Sequence, residues 1–385
     1  MSNLTTMEEY LAFFEEALKG KAFSPAFPER LMVLRRALSE DDTVVLRTVA
    51  APIPTTDLGI RLFPDYKLFY RTHTEIAHVE VISNEILYKY LLDTDIKNFG
   101  KAADAIVLFF GEYEIVAKIA MDRSTDLLAL GSYVTLIQVG VVLGAVGNPM
   151  SLTFFKRAEE VAESPEKAYA AVHRLAATYI KRLTAPKEGI IALRSGYEKY
   201  LKPDQDKHFA EIAVYYNLLA LAHLSSKDDL FVEQAMDKAE KFIDEAISSY
   251  EVDTERYSQA SRYKSQIAIN RAQIAVKNGQ YIQACGIMQD DVDFCGRNAS
   301  EYLAEAEGVL ALCEYRAKNF NLALQCASVA LEGFKYIGDI SAVHEVRKIA
   351  LASLAKKGCR GAAEKMVQEC KHDPLGIRQT IFSEI

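Results

Sequence analysis

The residues best suited to metal chemistry are two histidines and one acidic run. His73 and His78 lie five residues apart with Glu75 between them, and such groups can hold a transition metal. On a helix, five residues correspond to a rotation of about 500°, so the two rings would leave different faces. The run from Asp290 to Asp293 lacks the glycine and the terminal glutamate of a calcium-binding loop. We therefore expect no metal site.

The thiols also lack the spacing of a reactive site. No cysteine lies in a C-x-x-C pair or beside two histidines, so neither a zinc site nor a redox dithiol is predicted. We expect buried, apolar thiols and a reducing, cytoplasmic location. All of the cysteines follow residue 280: Cys285, Cys295, Cys313, Cys326, Cys359 and Cys370.

Motifs for nucleotide binding or hydrolysis are missing from the sequence. It contains no P-loop, no dinucleotide-binding glycine motif, no H-E-x-x-H and no G-x-S-x-G. We therefore expect a protein that is not an enzyme, with no catalytic residues and no cofactor. The net charge of −8 argues against contacts with phosphate groups, so nucleic acid is not an expected partner.

One apolar stretch, 127–147, has no charged side chain and the length of a membrane span. Gly140 and Gly144 within it have the spacing of a close helix–helix contact in lipid. Thr135 and Gln138 interrupt the stretch, and its ends show no clear asymmetry of Lys and Arg. A helix buried in a large helical domain is the favoured interpretation, and a membrane span is the alternative.

The elements that must position any functional residue are helices. Apolar periods predict a first helix that ends near Gly20 and later helices that include 66–92, 95–121, 124–146, 151–163 and 165–184. The run Val44–Val49 could form a strand, but no partner strand is evident, and a helix is preferred.

A sequence motif, called the phrase here, recurs among the helices after residue 260. Small residues precede a turn, and an aromatic residue then precedes an alanine by three positions. Small residues let antiparallel helices approach closely, and glycine adopts the left-handed conformation that ends a helix. At the second turn Lys318-Asn319 stands in for glycine, and Asn tolerates that conformation. The copies are Ala272-x-x-Ala275-x-x-x-Gly279-x-Tyr281-x-x-Ala284, Ala311-x-x-Glu314-x-x-x-Lys318-x-Phe320-x-x-Ala323 and Leu351-x-x-Leu354-x-x-x-Gly358-x-Arg360-x-x-Ala363.

The phrase resembles the consensus of the tetratricopeptide repeat superfamily over about 255–371, with a weaker match over about 165–251. Glu314 and Arg360 depart from it, because apolar or aromatic residues are usual there. The resemblance implies an all-α fold, a right-handed superhelical solenoid of antiparallel helix pairs. An all-helical domain without true repeats is the alternative.

Four parts are expected along the chain. They are an N-terminal helical bundle over 1–52, a helical middle region over 60–163, the repeats over 165–371 and a tail over 372–385. The prolines and the glycine of 51–59 mark the first boundary.

In the family that this chain resembles, the first helix of each hairpin lines a concave face that holds peptides. Side-chain amides there bond the peptide backbone, and cations pair with carboxylates. The resemblance implies that the binding residues here are Asn217, Gln266, Gln273, Lys277, Tyr315, Arg316 and Lys348, with Glu345 and Lys356 near the last.

Two functions follow. The first is a regulator that binds a peptide or a protein tail, similar to the bacterial Rap-like and arbitrium-like receptors, although no DNA-binding helix-turn-helix is recognisable in 1–60. The second is a scaffold subunit, because 330–343 resembles the helical repeats of proteasome-lid and signalosome subunits. A membrane-associated adaptor is a further alternative, and homo-oligomers are left open.

Overall fold

The computed structural model describes residues 47–50, 77–80, 84–100, 102–103, 107, 113–224, 229–252, 254–337 and 340–372. The helix expected to end near Gly20, the rest of the predicted bundle before residue 47, and the tail after residue 372 lie outside the described residues.

The described part of the chain contains helices and one two-stranded ribbon. The strands are β1 (Arg47–Ala50) and β2 (Ala77–Glu80). The helices are α1 (Asn84–Asp93), α2 (Tyr113–Asp122), α3 (Ser124–Leu130), α4 (Tyr133–Ala145), α5 (Met150–Glu160), α6 (Pro165–Lys181), α7 (Pro186–Gly196), α8 (Phe209–His223), α9 (Asp229–Ser249), α10 (Glu255–Lys277), α11 (Tyr281–Asn298), α12 (Leu303–Arg316), α13 (Phe320–Ile337), α14 (Ile340–Lys356) and α15 (Arg360–His372). A π-helical segment (Tyr197–Leu201) and a 3₁₀ segment (Lys202–Lys207) connect α7 to α8, and a second 3₁₀ turn (Ser300–Tyr302) precedes α12.

The ribbon corrects two sequence-based predictions. β1 and β2 pair in antiparallel fashion, with Thr48 opposite Val79. The helix predicted for Val44–Val49 is therefore wrong from Arg47 onward, where β1 begins. The helix predicted for 66–92 is wrong over Ala77–Glu80, which form β2. Thr and Val favour strands, but the pairing joins segments far apart in the sequence, which a local helical period cannot reveal.

The apolar stretch 127–147 is not one helix. Gly131 has a left-handed backbone, with φ 63°, and ends α3. Ser132 then caps α4, because its Oγ accepts a hydrogen bond from the backbone N–H of Thr135 at 3.5 Å. The single helix predicted for 124–146 is therefore wrong. Among the described residues, no helix combines the length and the apolar character needed to cross a bilayer.

The chain divides into two compact units. We call 91–107 with 112–271 the middle unit, and 272–385 with 1–90 and 108–111 the C-terminal unit.

Consecutive helices of the middle unit pack as hairpins: α4 with α5, α6 with α7, and α8 with α9. The first helices of these hairpins also contact one another, since α6 packs against both α4 and α8. A hydrogen bond between Asn270 and Asn217 joins α10 to α8. We call the side formed by α4, α6, α8 and the part of α10 up to Arg271 the first-helix face.

In the C-terminal unit, consecutive helices from α11 to α15 pack against each other. The alanines of the recurring phrase lie where these helices meet, and Ala284, Ala311, Ala323 and Ala363 are fully buried. The all-α fold class and the packing role of these small residues are confirmed.

The three turns of the phrase share one geometry. Gly279, Lys318 and Gly358 have left-handed backbones, with φ of 78°, 69° and 73°. In each turn the next residue donates its N–H to the carbonyl five positions back: Gln280 to Ala275, Asn319 to Glu314 and Cys359 to Leu354. These bonds satisfy carbonyls that the helix end leaves open. At the second turn Lys318, and not the Asn319 expected to tolerate it, carries the left-handed conformation.

Candidate functional site

Two of the predicted binding residues lie in the middle unit and are linked through a third. Asn270 on α10 donates from Nδ2 to Oδ1 of Asn217 on α8 at 3.0 Å. Gln266, one turn earlier on α10, donates from Nε2 to Oδ1 of Asn270 at 3.4 Å. Asn217 and Asn270 are buried, whereas Gln266 is partly exposed. The three side chains form a short chain of amides between the two helices.

Gln273 and Lys277 follow on α10, and both are exposed. Their spacing from Gln266 puts them on the same side of this helix, because seven and eleven residues are close to whole numbers of turns. They belong to the part of α10 in the C-terminal unit.

Tyr315 and Arg316 lie at the end of α12. Tyr315 is 6% exposed and its ring packs against Phe320, with centroids 5.8 Å apart. The guanidinium of Arg316 lies 5.8 Å from the ring centroid of Tyr281. Tyr315 thus fills the space beside the Lys318 turn, and Arg316 covers an aromatic ring.

Lys348 lies on α14 and forms an ion pair with Glu345, three residues before it. The Lys348 side chain is mostly buried, whereas Glu345 and Lys356 are exposed. Among the seven predicted residues, Asn217 and Gln266 are linked through Asn270 by side-chain hydrogen bonds.

The amide chain belongs to a longer polar stripe on α10. Gln259, Tyr263, Gln266 and Asn270 recur at three or four residues, so all four lie on one side of the helix. Gln259 donates from Nε2 to the Tyr263 hydroxyl at 2.9 Å. We call these four residues the amide stripe; it runs from an exposed end at Gln259 to a buried end at Asn270.

Helix α6 places a histidine and an arginine on the first-helix face. Ser164 caps α6 by accepting the N–H of Lys167 at 3.3 Å, and Pro165 occupies the first helical position. Nε2 of His173 lies 3.3 Å from the Val214 carbonyl oxygen of α8. Burial lowers the pKa of His173 to about 3, so this ring is neutral near pH 7. His173 therefore ties α6 to α8 beside Arg174.

Arg174 acts on the tyrosines around it. Tyr133 of α4 donates from its hydroxyl to the Lys167 carbonyl of α6 at 2.8 Å. Burial raises the pKa of the hydroxyls of Tyr133 and Tyr263, and the positive charge of Arg174 partly offsets that rise in both. The charge of Arg174 on α6 thus affects the pKa of tyrosines on both α4 and α10.

Helix α8 contributes the opposite charge. Glu211 lies in its first turn and is partly buried, and this burial raises the pKa of its carboxyl. Nearby, Glu166 of α6 lies 3.6 Å from Nδ1 of His208 and 3.6 Å from Arg256 of α10. The negative charge of Glu211 also contributes to the raised pKa of Tyr263.

Sequence reasoning missed Arg174, Glu211, Asn270 and Tyr263. The residues Gln259, Tyr263, Gln266 and Asn270 recur at helical spacing, so a search for polar stripes would have found that set. Arg174 and Glu211 carry no such signal, because their position beside Tyr263 depends on how three separate helices pack.

A different polar cluster lies in the C-terminal unit. Glu314 of α12 is 9% exposed, and Asn319 donates from Nδ2 to its carboxylate at 2.7 Å. The Cys285 thiol of α11 also bonds this carboxylate. Burial is the main cause that raises the pKa of the thiols of Cys285, Cys313 and Cys326 to about 12, so they are weak nucleophiles. The glutamate that departs from the repeat consensus therefore holds the Lys318 turn against its helix.

The sequence matches no protein-family model and no curated protein. Among solved structures, it is similar to the crystal structure of a signal transduction ATPase with numerous domains (STAND) from Pyrococcus horikoshii, a protein with a tetratricopeptide repeat sensor. The two are 14% identical, with a TM-score of 0.46, and the match covers 77% of this chain and 48% of that one. The chain thus spans about half the length of that protein.

Proposed function

We propose that this chain is a non-catalytic regulator that binds an extended peptide or a protein tail along the first-helix face, in the manner of Rap-like and arbitrium-like receptors. The observation that carries the proposal is the amide stripe on α10, anchored to α8 by the hydrogen bond between Asn270 and Asn217. A side-chain amide both donates and accepts, as a peptide backbone does, so it can bond a peptide of any sequence.

The spacing of the stripe fits an extended chain. Gln259 and Gln266 are seven residues apart, which corresponds to about 10.5 Å along a helix. Three residues of an extended peptide span about 10 Å. A peptide that runs along α10 can therefore present a backbone group to each glutamine in turn. Gln259 is exposed and Gln266 is partly exposed, so both are within reach of a ligand.

The state of the neighbouring side chains supports binding over catalysis. His173 on the first-helix face is neutral near pH 7 and engaged with a backbone carbonyl, which leaves it poorly placed to exchange protons. Glu166 lies 3.6 Å from the His208 ring and 3.6 Å from the Arg256 guanidinium. These groups fix the helices relative to each other and present a preformed polar surface.

The experiment is affinity selection of synthetic hexapeptide mixtures on the full chain, with mass spectrometry as the readout. Peptides that wild type enriches are then measured by titration against Gln266→Ala and against Gln234→Ala, which removes an exposed amide from α9. We expect Gln266→Ala to weaken binding by about 1–3 kcal/mol, because a peptide group is left unpaired. Gln234→Ala should bind as wild type does.

Two outcomes contradict the proposal. If no peptide is enriched and native pull-downs recover a stoichiometric set of large subunits, the chain is a scaffold. If peptides bind but Gln266→Ala and Gln234→Ala are equal to wild type, the ligand lies elsewhere than on the amide stripe.

A further inference from the structure

Arg174 is a partly buried cation that forms no ion pair with a described residue. Among the described residues, no carboxylate lies within ion-pair distance of its guanidinium, and no side chain bonds it. Its positive charge lowers the pKa of the Tyr133 and Tyr263 hydroxyls, against the larger rise that burial causes. A partly buried guanidinium normally pairs with a carboxylate, because its planar array of N–H donors matches the two carboxylate oxygens.

Glu211 is the matching anion, and it too has no counterion in the described part of the chain. Its carboxylate forms no ion pair there and receives a hydrogen bond only from its own backbone amide. The His208 ring and the Arg256 guanidinium near it are already engaged with another carboxylate, since both lie 3.6 Å from Glu166. A carboxylate that loses water without gaining a partner is destabilised, and a cationic ligand group would remove that cost.

Two tyrosines lie close to this pair of charges. Two hydrogen bonds, His173 to the Val214 carbonyl and Asn270 to Asn217, hold α6 and α10 against the first three turns of α8, where Glu211 lies. Arg174, next to His173, and Glu211 therefore lie on the helices that pack beside Tyr263 and the amide stripe, and both charges also affect the pKa of the Tyr263 hydroxyl. The Tyr169 hydroxyl of α6 is fully buried and has no hydrogen-bond partner among the described residues, and the charge of Glu211 adds to the rise that burial causes in its pKa. Buried hydroxyls are normally hydrogen-bonded, so Tyr169 joins Arg174 and Glu211 as a third polar group of the middle unit without a described partner.

We propose that the ligand carries a carboxylate that pairs with Arg174 and an amine or guanidinium that pairs with Glu211. This inference rests on the proposed function, because the same peptide lies along the amide stripe. The two opposite charges fix the direction of the peptide, since reversing it would bring like charges together. Each charge can come from a terminus or from a side chain, and the experiment separates these sources.

The test uses hexapeptide mixtures on the full chain in matched forms: free termini, an acetylated amino end, an amidated carboxyl end, and mixtures without acidic or without basic residues. The variants are Arg174→Gln and Glu211→Gln. Arg182→Gln and Glu188→Gln are the controls, because both remove an exposed charge of the same sign from the middle unit. Melting temperatures without ligand establish that each variant folds.

Wild type is expected to enrich peptides with both charges. Arg174→Gln should weaken the binding of a selected peptide by about 30-fold or more. It should also abolish the difference in affinity between the carboxylate form of that peptide and its neutral form. Glu211→Gln should do the same for the cationic group. If amidation removes binding, the carboxylate is terminal; if only the omission of acidic residues does so, it belongs to a side chain. The same logic applies to acetylation and basic residues.

The failures of the two proposals differ. If peptides bind in a manner sensitive to Gln266→Ala, but neutral and charged forms bind equally, the charge pairing is overturned and the peptide-binding function stands. The charge pairing is also overturned if Arg174→Gln and Glu211→Gln leave the charge preference unchanged. If wild type enriches no peptide in any form, the proposed function itself fails. A variant that does not melt cooperatively is replaced by Arg174→Lys or Glu211→Asp, which keep the charge and should keep the preference.

Discussion

Asn270 and Asn217 face each other across α10 and α8, with Nδ2 of the first 3.0 Å from Oδ1 of the second and both residues at most 5% exposed. A hydrogen bond between buried amides of two helices fixes their relative register, because sliding either helix would leave both groups unpaired. The same bond holds the amide stripe in place on the first-helix face.

Replacing one of the two asparagines should lower the free energy of unfolding markedly, whereas replacing the second as well should lower it little further. Asn217→Leu or Asn270→Leu alone leaves a buried amide unpaired and should lower the free energy of unfolding by about 1–3 kcal/mol. The double variant should be more stable than the sum of the two losses implies. Urea titrations of the four proteins measure the coupling. Strict additivity would mean that the two amides do not stabilise each other.

Gly333 on α13 marks a close helix contact that tolerates no side chain. A Cβ built there would lie 2.7 Å from the Cβ of Ala304 on α12, whereas a Cβ on Gly286 of α11 would meet nothing within 4 Å. Gly333→Ala should therefore lower the free energy of unfolding by about 1–3 kcal/mol. Gly286→Ala should raise it by about 0.5–1 kcal/mol, because alanine favours a helix. Thermal unfolding of both variants checks the prediction, and a stabilised Gly333→Ala would contradict the packing of α12 on α13.

Lys318 adopts a left-handed backbone that favours glycine. Its side chain is exposed, so Lys318→Gly removes backbone strain without removing a packed group, and it should stabilise the protein by about 1 kcal/mol. The reverse change at an equivalent turn, Gly279→Ala, should destabilise by a similar amount. Equal unfolding midpoints for Lys318→Gly and wild type would show that the turn carries no such strain.

The thiols of Cys285, Cys313 and Cys326 should react slowly with iodoacetamide at pH 8. A rise in pKa from 9 to about 12 lowers the thiolate fraction about 1000-fold, and the greater nucleophilicity of a more basic thiolate recovers roughly 30-fold of this. Native labelling should therefore be slower than labelling in urea by about 30-fold or more. Peptide mapping after timed quenching resolves each thiol, and equal rates in both conditions would contradict the burial of these groups.

Sequence periodicity predicted the helices after residue 150 well, because their apolar stripes and capping residues are local. Helix α6, for example, begins at Pro165 as predicted and ends at Lys181, three residues before the predicted end. Ala284, Ala311, Ala323 and Ala363 were also recognisable, since their spacing repeats. The handedness of the superhelix and the domain boundaries stay predictions.

What the sequence could not reveal depends on partners distant along the chain. Thr48 and Val79 form a strand pair across many intervening residues, and the break at Gly131 competes with an apolar period that continues through it. The absence of a described counterion at Arg174 is likewise a property of packed helices. The spacing of residues in a sequence cannot show whether a charged side chain has an ion-pair partner in the folded chain.

The turns at Gly279, Lys318 and Gly358 share one geometry, so these three connections between helices of the C-terminal unit, called joints here, are interchangeable. The turns are 39 and 40 residues apart, and each closes with the same backbone hydrogen bond. A segment cut from one joint to the next is therefore a complete module whose two ends have matching backbone conformations. Gene duplication or deletion over that length would add or remove one module without requiring a new kind of turn, so the length of such an array can evolve by whole steps.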